Sequence, residues 1–433
     1  MKVKTECSKI IKPFYEGNSP STTNHTPLSI FDKITYDTHI AVIYAYRPPT
    51  PSNEAIELGL QKALSVYREF AGRFGKDENG DQVILLNDEG VRFVEASADW
   101  TLHEAMPLKP SPSILSLHPS LHGVEELVQV QLTRFKCGSL VIGYTAHHYV
   151  ADGESTSSFL VAWGQATREV DISPIPSRET SIFAPRDPPT YDFEHNKLEY
   201  TSRIKEKCSI TNNDVSDEIM VHKVHFTSEF LNKLKAKTSS QDLWDKPYTT
   251  FECLVAHLWR VITKARGLGG HETTHARISI NGRTRLSPKV PNYFGNLVLW
   301  AFPTTTVRDL LNQPVSYAAQ LIHDEIAKVN NDYFKSFIDF ANCKAKDDDL
   351  VTTADSRKQI LSPNIDVDSW LRFPFYDLDF GTGCPFIFLP SYMPIEGLIF
   401  LLPSYVGDGS MEVFVAMFKD NLDVFKEFCY CLD

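Results

Sequence analysis

The sequence predicts a mixed α/β protein built as two domains. Three observations carry that expectation. The chain has 433 residues, more than one hydrophobic core usually organises. It is 42% apolar and 23% charged, an ordinary globular balance with enough apolar surface for a core in each domain. Segments of period-two alternation also recur between segments of helical spacing in both halves, the pattern of sheets covered by helices.

Thr38 to Tyr46 (THIAVIYAY) is rich in β-branched and aromatic residues and stops at Pro48-Pro49, which predicts a strand. Ile56, Leu60, Ala63, Leu64, Tyr67 and Ala71 share one helical face, which predicts a helix over 53–74. Over 127–135, Val128, Val130 and Leu132 alternate with Gln129, Gln131 and Thr133; Lys136-Cys137-Gly138 then turns the chain into a return strand over 139–145. His147 and His148 fall where that strand runs out. Residues 154–168 predict a helix with Phe159, Leu160 and Trp163 inward. Prolines and charges crowd 170–215 without periodicity, so 176–215 is expected to be a crossover linker between domains 1–175 and 216–433. Beyond it, 220–226 and 277–281 predict strands, 250–266 a helix opened by a Thr249–Glu252 capping box, and 314–329 another helix. Leu398 to Leu402 and Met411 to Phe418 flank a Gly407-Asp408-Gly409 turn, a late hairpin.

Charge and cysteine usage narrow the function. With 43 basic against 55 acidic residues the formal charge is −12, and no basic stripe interleaves with aromatics, so nucleic acid is not an expected partner. The eight cysteines are scattered without a C-x-x-C pair, as in a protein with reduced thiols. The opening MKVKTECSKIIKP lacks the apolar stretch of a signal peptide, and the run from Gly397 to Pro403 is too short for a bilayer. A cytoplasmic monomer with no membrane partner is the default expectation. No G-x-S-x-G, GxxxxGK[ST] or GxGxxG occurs, which removes support for a hydrolase elbow, a P-loop and a Rossmann turn.

One short stretch invites chemistry: His147-His148-Tyr149-Val150-Ala151-Asp152-Gly153. A histidine at a strand end beside a turn can offer its imidazole to a cleft, and its ordinary pKa lets it take and return a proton at neutral pH. The bare spacing does not separate this from a satisfied loop histidine, since 14 histidines yield about one accidental His-x-x-x-Asp in such a chain. His147, His148 and Asp152 find no further ligand cluster, and adjacent histidines on an extended chain point apart. No metal and no bound cofactor are expected.

Taken with Asn281-Gly282-Arg283, Tyr293-Phe294-Gly295-Asn296 and Asp379-Phe380-Gly381-Thr382-Gly383, this stretch resembles the plant BAHD acyltransferases over essentially the whole chain. The segment from Ser369-Trp370 to Gly383 is most similar to the hydroxycinnamoyl branch acting on agmatine and putrescine. The resemblance implies a chloramphenicol-acetyltransferase-like fold with a channel between two domains, and a CoA thioester as acyl-donor substrate. It makes His148 the general base, turns Asp152 away to pair with Arg283, and sets the Trp370 indole beside the oxyanion. Gly153, Asp379, Phe380, Gly381 and Gly383 become structural. The usual tryptophan of D-F-G-W-G is Thr382 here, which puts local packing in question.

The acceptor is where this chain departs furthest from the shikimate and quinate members. Where those carry a threonine before Ser-Trp and an arginine about thirteen positions upstream, this chain has Asp368 and Asp355. Carboxylates there would repel an acid and pair with an ammonium or guanidinium; Glu396 is a further candidate. The expected activity is transfer of a coumaroyl, caffeoyl or feruloyl group to a small aliphatic amine. The alternatives are O-acylation of a shikimate-like alcohol, a carrier-protein condensation domain, and an inactive binding protein.

Overall fold

The computed structural model describes residues 1–17, 20, 24–202, 218–239, 248–344, 350–354 and 357–432. The chain forms two compact units that interleave along the sequence: one holds Met1–Phe183, Val290–Leu297 and Phe373–Tyr392, the other Ala184–Lys289, Val298–Arg372 and Met393–Asp433. This differs from the contiguous division into 1–175, 176–215 and 216–433. The physical reason is strand pairing: Ile387–Pro390 hydrogen-bonds antiparallel to His39–Tyr46, which carries the DFGTG segment into the first unit.

In the first unit a six-stranded sheet runs in the order Val3–Ile11, Val91–Ala98, Val128–Phe135, Leu140–His147, His39–Tyr46, Ile387–Pro390. Every residue of Leu140–His147 is buried, because both faces of this strand are covered. Helix Gly153–Thr167 packs through Phe159 on Tyr144, with ring centroids 6.0 Å apart. On the other face, a Cβ on Gly143 would lie 2.1 Å from the Leu117 carbonyl oxygen, so only glycine permits that approach. The hairpin expected over 127–145 is thus a pair of central strands. Helix Asn53–Val66 packs on helix Gly153–Thr167, and Trp163 Nε1 donates to the Ile56 carbonyl at 2.9 Å.

That first helix stops at Val66 rather than Phe74. Its chain passes through a 3₁₀ turn at Arg68–Ala71 into strand Arg73–Lys76. Arg68 holds the Asp88 carboxylate and the Leu86 carbonyl, and a Cβ at Gly72 would meet the Leu85 carbonyl at 2.2 Å. Tertiary partners therefore overrule the helical spacing of 67–71.

The second unit centres on a seven-stranded sheet ordered Ile219–Phe226, Met411–Phe418, Leu398–Pro403, Ile365–Ser369, Thr273–Asn281, Val298–Ala301, with Thr304–Thr306 also on Thr273–Asn281. Ala276, Ile278, Ile365, Val367, Ile399, Leu401, Val413 and Val415 alternate onto one buried face. Trp259 of helix Thr250–Arg266 packs there and donates to Thr274 Oγ1 at 3.0 Å. The opposite face carries Arg277, Ser279, Asp366, Asp368, Trp300 and Phe400, set side by side by the registers Arg277↔Asp366, Asp368↔Phe400 and Ser279↔Trp300. The Thr249–Glu252 capping box is present.

The described part of the stretch expected as a crossover linker is packed rather than loose. Ser177 bridges to Tyr293 in the first unit. Within the second, His195 and Glu199 are buried and joined at 3.1 Å, and Arg186 pairs with Asp339 at 2.7 Å. Among the described residues no helix is long and apolar enough to cross a membrane.

Candidate active site

His148 sits one residue past strand Leu140–His147, and its N–H donates to the Thr38 carbonyl at 2.9 Å. This extends the ladder in which His39 faces His147, so the sheet fixes where the imidazole begins. Nδ1 lies 3.1 Å from Thr35 Oγ1 and 3.2 Å from Asn296 Oδ1. The Asn296 amide decides which nitrogen carries the proton. Its Nδ2 donates to Asp32 Oδ1 at 2.9 Å and to the His148 carbonyl at 2.8 Å. Turned the other way, the amide would set its oxygen against a carboxylate and a carbonyl at once. Oδ1 is therefore the end that faces the ring, and Nδ1 must be the N–H donor. Nε2 is left with its lone pair and has no hydrogen-bond partner among the described residues. A half-buried imidazole with Nε2 bare is a proton acceptor.

His147 points elsewhere. The Tyr149 N–H donates to its Nδ1 at 3.3 Å, and its Nε2 lies 3.3 Å from Asp37. Burial pushes its pKa down to about 3, with His39 and His148 adding to the effect. Asp37 is 68% exposed, too well solvated to offset that desolvation. His147 is a neutral structural ring, edge-on to Phe74 at 4.8 Å.

Asp152 caps helix Gly153–Thr167: Oδ1 accepts from the Ser155 N–H and Oδ2 from the Leu297 N–H, both at 3.0 Å. The Ser155 hydroxyl accepts from the Gly295 N–H at 3.0 Å and donates to the Gly295 carbonyl at 2.9 Å. The motif loop is thereby clasped to Tyr293-Phe294-Gly295-Asn296. A Cβ at Gly153 would stand 2.6 Å from Phe373 Cε2, so glycine is a packing requirement there.

Asp379 organises the DFGTG turn, its Oδ1 accepting from the Gly381 and Gly383 N–H groups at 2.8 and 2.9 Å. Both glycines have positive φ, 100° and 105°, where other residues are strained. Phe380 packs on Trp163 at 5.0 Å. Thr382 lies exposed between the two glycines, so a smaller residue there leaves no buried cavity.

In the second unit, Asp368 is half-buried and accepts from Ser279 Oγ at 2.5 Å. Trp370 follows two residues on, takes its N–H to the Leu401 carbonyl at 2.8 Å, and packs on Phe400 at 4.7 Å. The neighbouring Asp366 lies 3.5 Å from Arg277, whose guanidinium stacks 3.9 Å over Trp300. Arg283 is buried and donates to Asn281 Oδ1 at 3.3 Å. Glu396 does not fit an acceptor anchor: it is fully buried, gripped by Arg266 at 2.8 and 3.0 Å, and also receives the Ser362 N–H at 3.0 Å. Its oxygens are spent on a structural ion pair. Asp355 lies outside the described residues.

A family model described as the Transferase family matches residues 1–432. The chain belongs to that family, the BAHD acyltransferases. It is 51% identical to agmatine hydroxycinnamoyltransferase 1 of Oryza sativa subsp. japonica over 100% of this chain and 99% of that protein. Identity is 48% to putrescine hydroxycinnamoyltransferase 3 of the same species, over 100% of both. The fold is that of vinorine synthase, with a TM-score of 0.72 over 98% of this chain and 96% of that one, at 20% identity. This BAHD acyltransferase thus shares the two-domain α/β architecture of its solved relatives.

Four residues around the histidine were not singled out from the sequence: Thr35, Asn296, Asp32 and Arg178. Asn296 closes the stretch Tyr293-Phe294-Gly295-Asn296, whose sequence carries no sign of a histidine partner. Asp32 had a local signal in Ser29-x-x-Asp32, where the Ser29 N–H donates to the carboxylate at 2.8 Å and the Asp32 N–H returns to Ser29 Oγ at 3.1 Å. Arg178 had none, because it lies in a stretch without periodicity.

Proposed function

We propose that this BAHD acyltransferase moves a hydroxycinnamoyl group from its CoA thioester to a primary amine of agmatine or putrescine, with His148 as general base and without an acyl-enzyme. The observation that carries this reading is the Asn296 amide, which puts the imidazole proton on Nδ1 and leaves Nε2 to accept. The substrate class is supported by the printed activities of relatives about half identical over their full length.

In this reading the neutral amine nitrogen attacks the thioester carbonyl carbon and Nε2 takes the N–H proton. The tetrahedral intermediate then breaks its C–S bond, and the departing thiolate receives that proton as free thiol. The Thr35 hydroxyl is not an alternative nucleophile: the nitrogen it touches already carries hydrogen. Trp370 Nε1–H serves the oxyanion, and Asp152 holds the loop. Asp368 holds the far, cationic end of the acceptor, with Asp355 as a second carboxylate for the same task. Neither a metal nor a bound cofactor has a step to perform.

An aliphatic amine with a pKa near 10 is only about one part in a thousand neutral at pH 7. Activity should therefore climb between pH 7 and 9. The test is full-length protein with p-coumaroyl-CoA against agmatine, putrescine, spermidine, tyramine and shikimate, with His148→Ala as control and rapid-quench mass spectrometry. Agmatine or putrescine should lead, the control should lose at least about 100-fold, and no acylated protein should accumulate. Preference for shikimate, a flat profile with amines, or an acyl adduct on Thr35 would each defeat the reading.

A further inference from the structure

We propose that the buried Asp32–Arg178 ion pair sets the proton position and the basicity of His148, acting through the Asn296 amide. The inference rests on His148 being the base. Asp32 is fully buried and its two oxygens divide the work. Oδ1 accepts the Asn296 N–H and Nδ2–H, each at 2.9 Å. Oδ2 accepts from the Ser29 N–H at 2.8 Å and from an Arg178 amino group at 3.2 Å. The other Arg178 amino group donates to the Val150 carbonyl at 3.0 Å, inside the motif loop, and the guanidinium lies 5.6 Å from the Phe294 ring centre.

The result is a chain of four groups, imidazole, amide, carboxylate and guanidinium, all within the first unit. A carboxylate that accepts both N–H groups of an asparagine fixes the amide's orientation. It also draws negative charge onto the amide oxygen, which makes Oδ1 a stronger acceptor for Nδ1–H. When Nε2 takes the substrate proton, that oxygen faces an imidazolium, and the carboxylate behind it stabilises the charge. In serine proteases a carboxylate does this in direct contact with the ring, and its loss costs about 10⁴ in turnover through the wrong tautomer. Here an amide intervenes, so the effect is smaller.

Stability alone is a poor reason for burying this pair, since an apolar pair of similar volume is commonly no less stable. Asp32 and Arg178 are positioning residues: they touch the base only through Asn296 and through the loop. The other titratable groups around them are His147, held neutral, with Asp37 on its far nitrogen; Tyr36, 6.3 Å from the His148 ring; and Glu69 and Tyr293 near Arg178.

The experiment combines ¹⁵N-histidine spectra of full-length protein at pH 8, with His148 assigned by its loss in His148→Gln, and kinetics on the same samples. Wild type should show His148 protonated on Nδ1 and bare on Nε2. Asp32→Asn should shift it toward the Nε2–H form, lower kcat about 100-fold and leave KM for both substrates within about twofold. Its pH profile should move the histidine limb to lower pH. Arg178→Met leaves Asp32 buried without its countercharge, which drives it to the neutral acid, and should then behave like Asp32→Asn, whereas Arg178→Lys, which keeps the charge, should retain at least about a tenth of turnover. An Nε2–H tautomer in wild type overturns the proposal, as does an unchanged tautomer or unchanged kcat in Asp32→Asn or, should that variant not fold, in Arg178→Met. The spectrum needs no substrate, so failure to acylate amines would strike the proposed function and leave this inference standing.

Discussion

Replacing Asp368 with threonine should separate amine recognition from catalysis. Asp368 stands half-buried on a sheet face between Ser279, whose hydroxyl it accepts at 2.5 Å, and Phe400, its partner in register. A full charge 4 Å from an ammonium at an effective dielectric of about 20 attracts it by about 4 kcal/mol before desolvation. A hydrogen bond to a charged group in place nets about 1.5–3 kcal/mol. Loss of the carboxylate should thus cost about 10- to 150-fold in kcat/KM for agmatine. Threonine can still bond Ser279, so the sheet should survive. The assay is initial rates with p-coumaroyl-CoA held saturating and agmatine varied, in wild type and Asp368→Thr. The penalty should sit in the amine's KM, with kcat within about threefold, because the anchor binds ground state and transition state alike. A penalty that shrinks in 0.5 M salt would mark the contact as electrostatic. An unchanged amine KM, or an equal loss in kcat with KM constant, would refute the assignment of Asp368 as the cation's handle.

Glu396→Gln should leave the amine's KM unchanged but destabilise the second unit by about 3–5 kcal/mol, read by chemical denaturation, because it strips the Arg266 guanidinium, a side chain only 2% exposed, of its countercharge. Gly153→Ala should cost about 1–3 kcal/mol and lower turnover by displacing Phe373, and Gly153→Ala with Phe373→Leu should recover part of the lost melting temperature. Acid should destabilise the fold earlier than carboxylate protonation requires. His147 stays neutral in the folded chain down to about pH 3, whereas its unfolded ring takes a proton near pH 6.5. The unfolded state therefore binds more protons between those values, so stability is full above about 6.5 and falls by up to about 1.4 kcal/mol per pH unit below it. Melting temperature followed from pH 7.5 to 5 should fall in wild type and fall less in His147→Gln.

What could be read in the sequence follows from how local each determinant is. The strand at 38–46, the helix after Gly153 and the capped helix at 250–266 announce themselves because their pattern and their partners lie within a few residues. The interleaving of the units does not, because the pairing of Ile387–Pro390 with His39–Tyr46 joins segments more than three hundred positions apart. The same distinction divides the site. His148 and Asp152 belong to one heptapeptide, and the asparagine, carboxylate and guanidinium that define the imidazole's proton come from three remote segments. Glu396 shows the converse hazard: an acid in an apolar setting looked available for a ligand because its arginine, 130 positions away, leaves no trace in its neighbourhood. Charge signs along a chain can nominate an anchor, but only the partner list decides whether the charge is already spent. Asp368 accepts from the Ser279 hydroxyl at 2.5 Å. Asp366, two residues earlier on the same strand, instead faces the Arg277 guanidinium. The alternation of the strand puts both carboxylates and Trp370 on the same face.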